Sequence, residues 1–253
     1  MAVGPGPVAL VGSGEFLGAM EPVDAGLLEG RPPRAVIIPT AAAREGDARV
    51  QYWIDLGRRH YEAIGVEPVP LDVRSRADAD DPAVAERVAG AGLVYLSGGD
   101  PHHLADTLRA SSLWEAVTAA WRAGAALAGC SAGAMALSAG APPDLLARRR
   151  STGHPPERDG PARSANGLGL LPGLAVIPHF DQITRWRRGA LEWFAAWQPP
   201  GTTLVGIEEE TALVGDGAAW VVQGTGTVWV FDGDARRELG AGDTVTLDAS
   251  AGA

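Results

Sequence analysis

The sequence has a single cysteine, Cys130, among 253 residues. No intramolecular disulfide can form, and no Cys-rich zinc cluster can be assembled. Positive charge is also scarce: 21 Lys and Arg against 31 Asp and Glu leave a formal net charge of −10. Phosphate recognition needs clustered cations, so this balance argues against general nucleic-acid binding, although a local basic patch can still serve a small anion. Long apolar runs are missing too. No stretch approaches the ~20 apolar residues of a membrane span. Residues 1–7 lack a basic n-region, and the apolar run Val8–Val11 is too short for a signal h-region, so a cytoplasmic location is expected. What remains is 46% hydrophobic and 21% charged, a globular composition long enough for one large α/β domain or two small ones.

Short apolar runs alternate with longer amphipathic stretches, the pattern of βαβ units around a parallel sheet. Strands are expected at Val8–Val11, 35–39, Leu93–Leu96 and 125–128, with a weaker one at 67–71, where two prolines intervene. Helices are expected at 50–64, 82–89, 103–109 and 113–122. Further on, strands at 175–178 and Thr203–Ile207 flank a helix at 186–197. From 212 to 247 the alternation becomes β-like, with turns at Gly215-Asp216-Gly217, Gly224-Thr225-Gly226 and Asp232-Gly233. Residues 138–166 break the rhythm: they are rich in Pro, Gly and Arg, and too long for a simple connector. The expectation is one α/β domain over 1–253, a largely parallel sheet with helices on both faces and a C-terminal antiparallel β extension.

Gly129-Cys130-Ser131-Ala132-Gly133 matches the G-x-S-x-G nucleophile elbow, in which glycines permit a strained strand-to-helix turn that lifts the Ser Oγ above the sheet. The Ala132 N–H would then face a developing oxyanion. The competing account is a close-packed strand–helix turn with no chemistry. Ser97-Gly98-Gly99-Asp100 ends the other confident strand, and its glycines allow a second backbone donor to turn into the site. A plain βα turn accounts for it equally well until it is paired with the elbow. Five histidines could serve as base. His60 lies mid-helix and His102 and His103 open a helix, where surface or capping roles are commoner; His154 lies in the irregular segment. His179 stands just past a strand end, where neighbouring strand ends would bring it to Ser131. Glu208-Glu209-Glu210 follows another strand, and three adjacent acids repel unless one has an inward partner.

Together Tyr95-Leu-Ser-Gly-Gly-Asp100, Gly129-Cys-Ser-Ala-Gly-Ala134, Gly167-Leu-Gly-Leu-Leu-Pro-Gly173, Pro178-His-Phe180 and Glu208-Glu-Glu-Thr-Ala-Leu213 resemble peptidase family S51. That family includes aspartyl dipeptidase and cyanophycinase, on the class I glutamine amidotransferase-like, flavodoxin-like fold. The resemblance implies Ser131 as nucleophile, His179 as base, Glu209 as the orienting acid with Glu208 as fallback, and Gly99 with Ala132 as oxyanion donors. Asp100 and Arg185 are the candidate substrate contacts, and no cofactor or metal is expected. The cyanophycinase form carries Asp and Gln just ahead of the His, where Ile177 and Pro178 stand here. Pro178-His-Phe180 is closer to the dipeptidase form, while Thr211-Ala-Leu213 and the strand-rich tail are closer to cyanophycinase.

The expected activity is serine-type hydrolysis of short or aspartyl-containing peptides through an acyl-enzyme. Cyanophycinase-like cleavage of β-linked aspartyl-arginine, a non-catalytic binding protein and a glutaminase-like transferase acting through Cys130 stand as alternatives. The partner is a small peptide substrate, with a homodimer allowed for and neither nucleic acid nor membrane expected. Between 144 and 166, Arg148, Arg149, Arg150, Arg158 and Arg163 outnumber Asp144, Glu157 and Asp159. Arginine forks pair with carboxylates, which points to acidic substrates, unless the run is a solvated loop.

Overall fold

In a computed structural model of the chain, residues 4–142, 166–186, 189–232 and 235–250 are described. Val8–Val11 (β1), Arg34–Ile38 (β2), Leu93–Leu96 (β4) and Ala126–Cys130 (β5) are apolar, save for Arg34 at the start of β2, because both faces of their sheet are covered. On one face Ala9, Val11, Ile37, Tyr95 and Ala128 pack against helices Glu21–Leu28 (α1) and Asp47–Ala63 (α2). On the other, Leu10, Val36, Ile38, Leu96 and Leu127 meet Pro101–Leu108 (α5), Ser112–Arg122 (α6) and Ala132–Leu137 (α7). The short helices Arg76–Ala79 (α3) and Pro82–Glu86 (α4) lead into β4.

Glu67–Pro70 (β3) shows how a strand accommodates two prolines. It lies at the edge of the sheet, paired on one side only, to β2. Glu67 N–H donates to Pro33 O and Leu71 N–H to Ile37 O, at 2.8 and 2.9 Å, so the alternate nitrogens of Pro68 and Pro70 face outward, where no ladder bond is lost.

The main sheet has the order β12-β9-β8-β1-β5-β4-β2-β3. Its first three members, Thr244–Thr246 (β12), Ala219–Gly224 (β9) and Thr211–Gly215 (β8), run antiparallel to their neighbours, and the other five are parallel. The remaining strands separate from it. Leu174–Ile177 (β6), Thr203–Ile207 (β7), Val228–Asp232 (β10) and Ala235–Leu239 (β11) form a second sheet, ordered β11-β10-β7-β6. Val205, Ile207, Val228 and Val230 of this sheet share one buried cluster with Leu127 and Leu137 of the first layer. Its far side holds Ala175, Ile177 and Leu204 against Phe180 and Phe194.

The fold is therefore mixed α/β with a C-terminal antiparallel β extension, as expected, and that extension is divided between the two sheets. The helix expected at 186–197 is two, Phe180–Trp186 (α8) and Ala190–Trp197 (α9), the second preceded by Gly189 at φ 77°. The expected surface histidines also need correction. His60 is buried and bonds Asp24 at 2.7 Å, and His102 is buried with Nε2 3.0 Å from Pro142 O. Burial raises the Asp24 carboxyl above its ordinary range, and the bond to His60 offsets part of that. Among the described residues no helix is long and apolar enough to cross a membrane.

Candidate active site

β5 ends at Cys130 and α7 begins at Ala132, so Ser131 alone makes the turn. Its backbone is at φ 50° and ψ −105°, a region costly for any residue with a Cβ. Two bonds hold it there: Ser131 N–H donates to Val11 O at 2.9 Å, and Ser131 O accepts from Met135 N–H at 3.1 Å. The flanking glycines are needed for clearance. A Cβ on Gly129 would stand 2.5 Å from the Gly133 backbone, and one on Gly133 would stand 2.3 Å from Leu96 O. Strand and helix can thus approach closely only with glycine at both places.

His179 follows β6 and Glu209 follows β7, so both arrive from the second sheet while Ser131 comes from the first. Ser131 Oγ lies 2.9 Å from His179 Nε2, and His179 Nδ1 lies 2.9 Å from Glu209 Oε1. With the proton on Nδ1, the imidazole donates to Glu209 and accepts the serine hydroxyl. His179 is itself held at φ 51°. Glu208 points elsewhere: its carboxylate accepts from Thr227 N–H at 3.0 Å and from Trp229 Nε1 at 3.2 Å. The choice left open between the two acids is a choice between these positions, and Glu209 is the one at the imidazole.

Two residues that the sequence reading did not single out support Glu209. Asp181 Oδ1 accepts the Glu209 N–H at 3.2 Å, and Gln182 Nε2 donates to Glu209 Oε2 at 3.4 Å. They sit on α8, directly after His179, and their signal was available as polar residues opening a helix beside a candidate base.

The serine opens into a cleft of about 390 Å³. Its lining includes Ser13, Gly14 and Glu15 after β1, Arg49 and Tyr52 of α2, and Gly98 and Gly99 after β4. Arg49 lies 4.9 Å over the Tyr52 ring and 4.8 Å over Trp53, and pairs with Glu45 at 3.4 Å. Gly99 reaches this cleft at φ 142°. Asp100 and Arg185 are not among the lining residues. Asp100 caps α5, accepting from the N–H groups of His102 and His103, and has Arg44 at 3.5 Å; Arg185 is exposed on α8. Cys130 is fully buried, and its thiol donates to Glu15 Oε2 at 2.8 Å. Burial, reinforced by the Glu15 charge, pushes that thiol well above its usual range, which disfavours the thiolate a cysteine nucleophile needs. His154 and the arginines at 148, 149, 150, 158 and 163 lie outside the described residues, as do Asp144, Glu157 and Asp159.

The family model for peptidase family S51 matches residues 9–222, a span that contains every member of this constellation. This chain belongs to peptidase family S51. Among curated relatives of this S51 chain, a cyanophycinase of Trichormus variabilis is 32% identical over 165 residues, covering 64% of the chain and 52% of the relative. A cyanophycinase of Synechococcus elongatus is 30% identical over 180 residues, covering 70% and 52%. The chain thus spans about half the length of these curated relatives. Among solved structures, a peptidase from an acI-B1 Actinobacterium superimposes with a TM-score of 0.83 at 37% identity, over 97% of this chain and 98% of that one. A candidate peptidase E from Listeria monocytogenes matches at a TM-score of 0.55 and 14% identity, over 93% and 98%, which speaks for the fold alone.

Proposed function

We propose that this S51 chain is a serine hydrolase of short peptides that works through an acyl-enzyme on Ser131. The observation that carries this reading is the unbroken relay from Ser131 Oγ through His179 to Glu209, with both links at 2.9 Å. A binding protein that had kept only the fold would have no need to maintain it. In the first half-reaction His179 Nε2 takes the hydroxyl proton as Ser131 Oγ attacks the peptide carbonyl carbon. Glu209 stabilises the imidazolium, and the N–H groups of Gly99 and Ala132 receive the oxyanion. Collapse breaks the C–N bond, with the His179 proton passing to the leaving amine. Water, deprotonated by His179, then attacks the ester and releases the acid and Ser131.

The cleft volume suits a substrate of a few residues, and Arg49 on its wall supplies a guanidinium for a substrate carboxylate, from an aspartyl side chain or a chain terminus. Two curated relatives are named cyanophycinase, and the S51 resemblance makes β-linked aspartyl-arginine a second substrate class to test. A panel of acidic, neutral and basic dipeptides with β-linked aspartyl-arginine separates the two. Wild-type protein is expected to hydrolyse at least one member, and Ser131→Ala none. Hydrolysis that persists in Ser131→Ala overturns the reading.

A further inference from the structure

Glu15 lies against the cleft with 4% of its surface exposed, and the reaction as described gives it no part. A buried carboxylate is unfavourable unless its oxygens are bonded. Both are. Oε1 accepts the Gly98 N–H at 2.9 Å, and Oε2 accepts the Cys130 thiol at 2.8 Å. These donors belong to two different strand ends. Gly98 follows β4 and immediately precedes Gly99; Cys130 closes β5 and immediately precedes Ser131 and Ala132. The fit is close: a Cβ on Gly98 would stand 3.0 Å from Glu15 Oε1 and 3.5 Å from Ser131 Cβ.

The segment carrying Glu15 is itself fixed. Gly14 at φ 84° and Phe16 at φ 64° turn the chain on either side of it. The Phe16 ring is buried, with its centroid 4.8 Å from Tyr95, 5.8 Å from Tyr61 and 5.9 Å from His60. A ring held from three sides leaves the adjoining carboxylate little freedom to wander.

We propose that Glu15 is the positioning residue of the oxyanion hole, one oxygen fixing the Gly98–Gly99 turn and the other fixing the strand end that presents Ser131 and Ala132. The proposal rests on the acyl-transfer reading above. Its physical basis is that backbone donors stabilise an oxyanion only when they are held in place before it forms. Gly98 and Gly99 have no side chains to pin their turn, and glycine backbones are the most permissive in the chain. A single carboxylate bonded to both strand ends fixes the two donors relative to each other. It also gives Cys130 a part: a short side chain whose S–H completes the carboxylate's second bond.

The test compares wild type with Glu15→Ala, Glu15→Gln, Cys130→Ala and Cys130→Ser. The readouts are the rate of fluorophosphonate labelling at Ser131, kcat and KM on a cleaved peptide, and Tm. Wild-type labelling at Ser131 tests the acyl-transfer reading by itself; the variants, measured against that rate, test Glu15. Glu15→Ala is expected to lower the labelling rate and kcat by roughly 10²-fold with little change in KM, as for a donor displaced by about 1 Å. Glu15→Gln, whose amide oxygen still accepts the Gly98 N–H, should recover part of this. Cys130→Ser, whose hydroxyl can donate to the same oxygen, should restore what Cys130→Ala loses. If Glu15→Ala does not fold, Glu15→Gln and the Cys130 pair decide. Wild-type labelling rates in both Glu15→Gln and Cys130→Ala contradict the role, and so does a Glu15→Ala protein whose lost kcat is matched by a rise in KM.

Discussion

Glu208 and Glu209 are adjacent, identical in chemistry and separated in placement by which way each side chain leaves the strand end. Glu209 meets His179 Nδ1 at 2.9 Å, whereas Glu208 is engaged by Thr227 N–H and Trp229 Nε1. Glu209→Gln is therefore expected to lower kcat by about 10²–10⁴-fold, because the amide cannot stabilise the imidazolium. Glu208→Gln should leave kcat within a few-fold of wild type, with its effect confined to Tm. Steady-state kinetics on the two variants checks this, and the reverse order would reassign the acid. Cys130 makes a second residue-scale prediction. Buried and pushed up in pKa by burial and by Glu15, its thiol should resist an aromatic disulfide reagent in the native protein and react with it once unfolded in denaturant. Rapid reaction of the native protein would contradict this.

At the scale of elements, the elbow depends on the approach of α7 to β4 across Gly133. Gly133→Ala would place a methyl 2.3 Å from Leu96 O, and since backbone cannot give way cheaply, a loss of about 1–3 kcal/mol in chemical denaturation is expected together with loss of hydrolysis. Helix α3 offers a pH-dependent case. Ser75 and Asp78 form a capping box, and the N–H of Arg74 with the Ser75 hydroxyl holds the Asp78 carboxyl below its ordinary 3.8. A depressed folded pKa means that the carboxylate's contribution is complete above 3.8 and is lost as pH falls through the lowered value. Asp78→Ala should cost roughly 0.3–1.5 kcal/mol at neutral pH and progressively less in acid, read from denaturation midpoints across pH. Elements of this kind set the limits of what was legible in the sequence. The buried strands β1, β4 and β7 lie where apolar runs put them, because an apolar run bounded by turn residues has few other uses. The four residues of α3 are too few to show a period, and a single glycine such as Gly189 is tolerated inside a helical pattern, so it did not by itself mark the break.

For the molecule as a whole, the decisive feature is that the site lies between two sheets. Ser131 is delivered by the first and His179 with Glu209 by the second, and the shared cluster of Leu127, Leu137, Val205, Ile207, Val228 and Val230 keeps the layers in register. Ser131, His179 and Glu209 were visible as strand-end residues in chemically apt types, and the S51 resemblance ordered them. Their convergence from separate sheets was not visible, because strand pairing is a long-range choice that local periodicity does not record. Glu15 was hidden for the same reason: its partners are 83 and 115 residues away in the chain. The central claim is that this two-sheet arrangement makes Ser131 a nucleophile. Reaction with a fluorophosphonate, followed by intact mass and peptide mapping, tests it most directly. The expected result is one adduct per chain on the peptide containing Ser131, absent in Ser131→Ala and formed far more slowly in His179→Ala. An adduct on any other residue of the wild-type protein, or no adduct on folded protein, would contradict it.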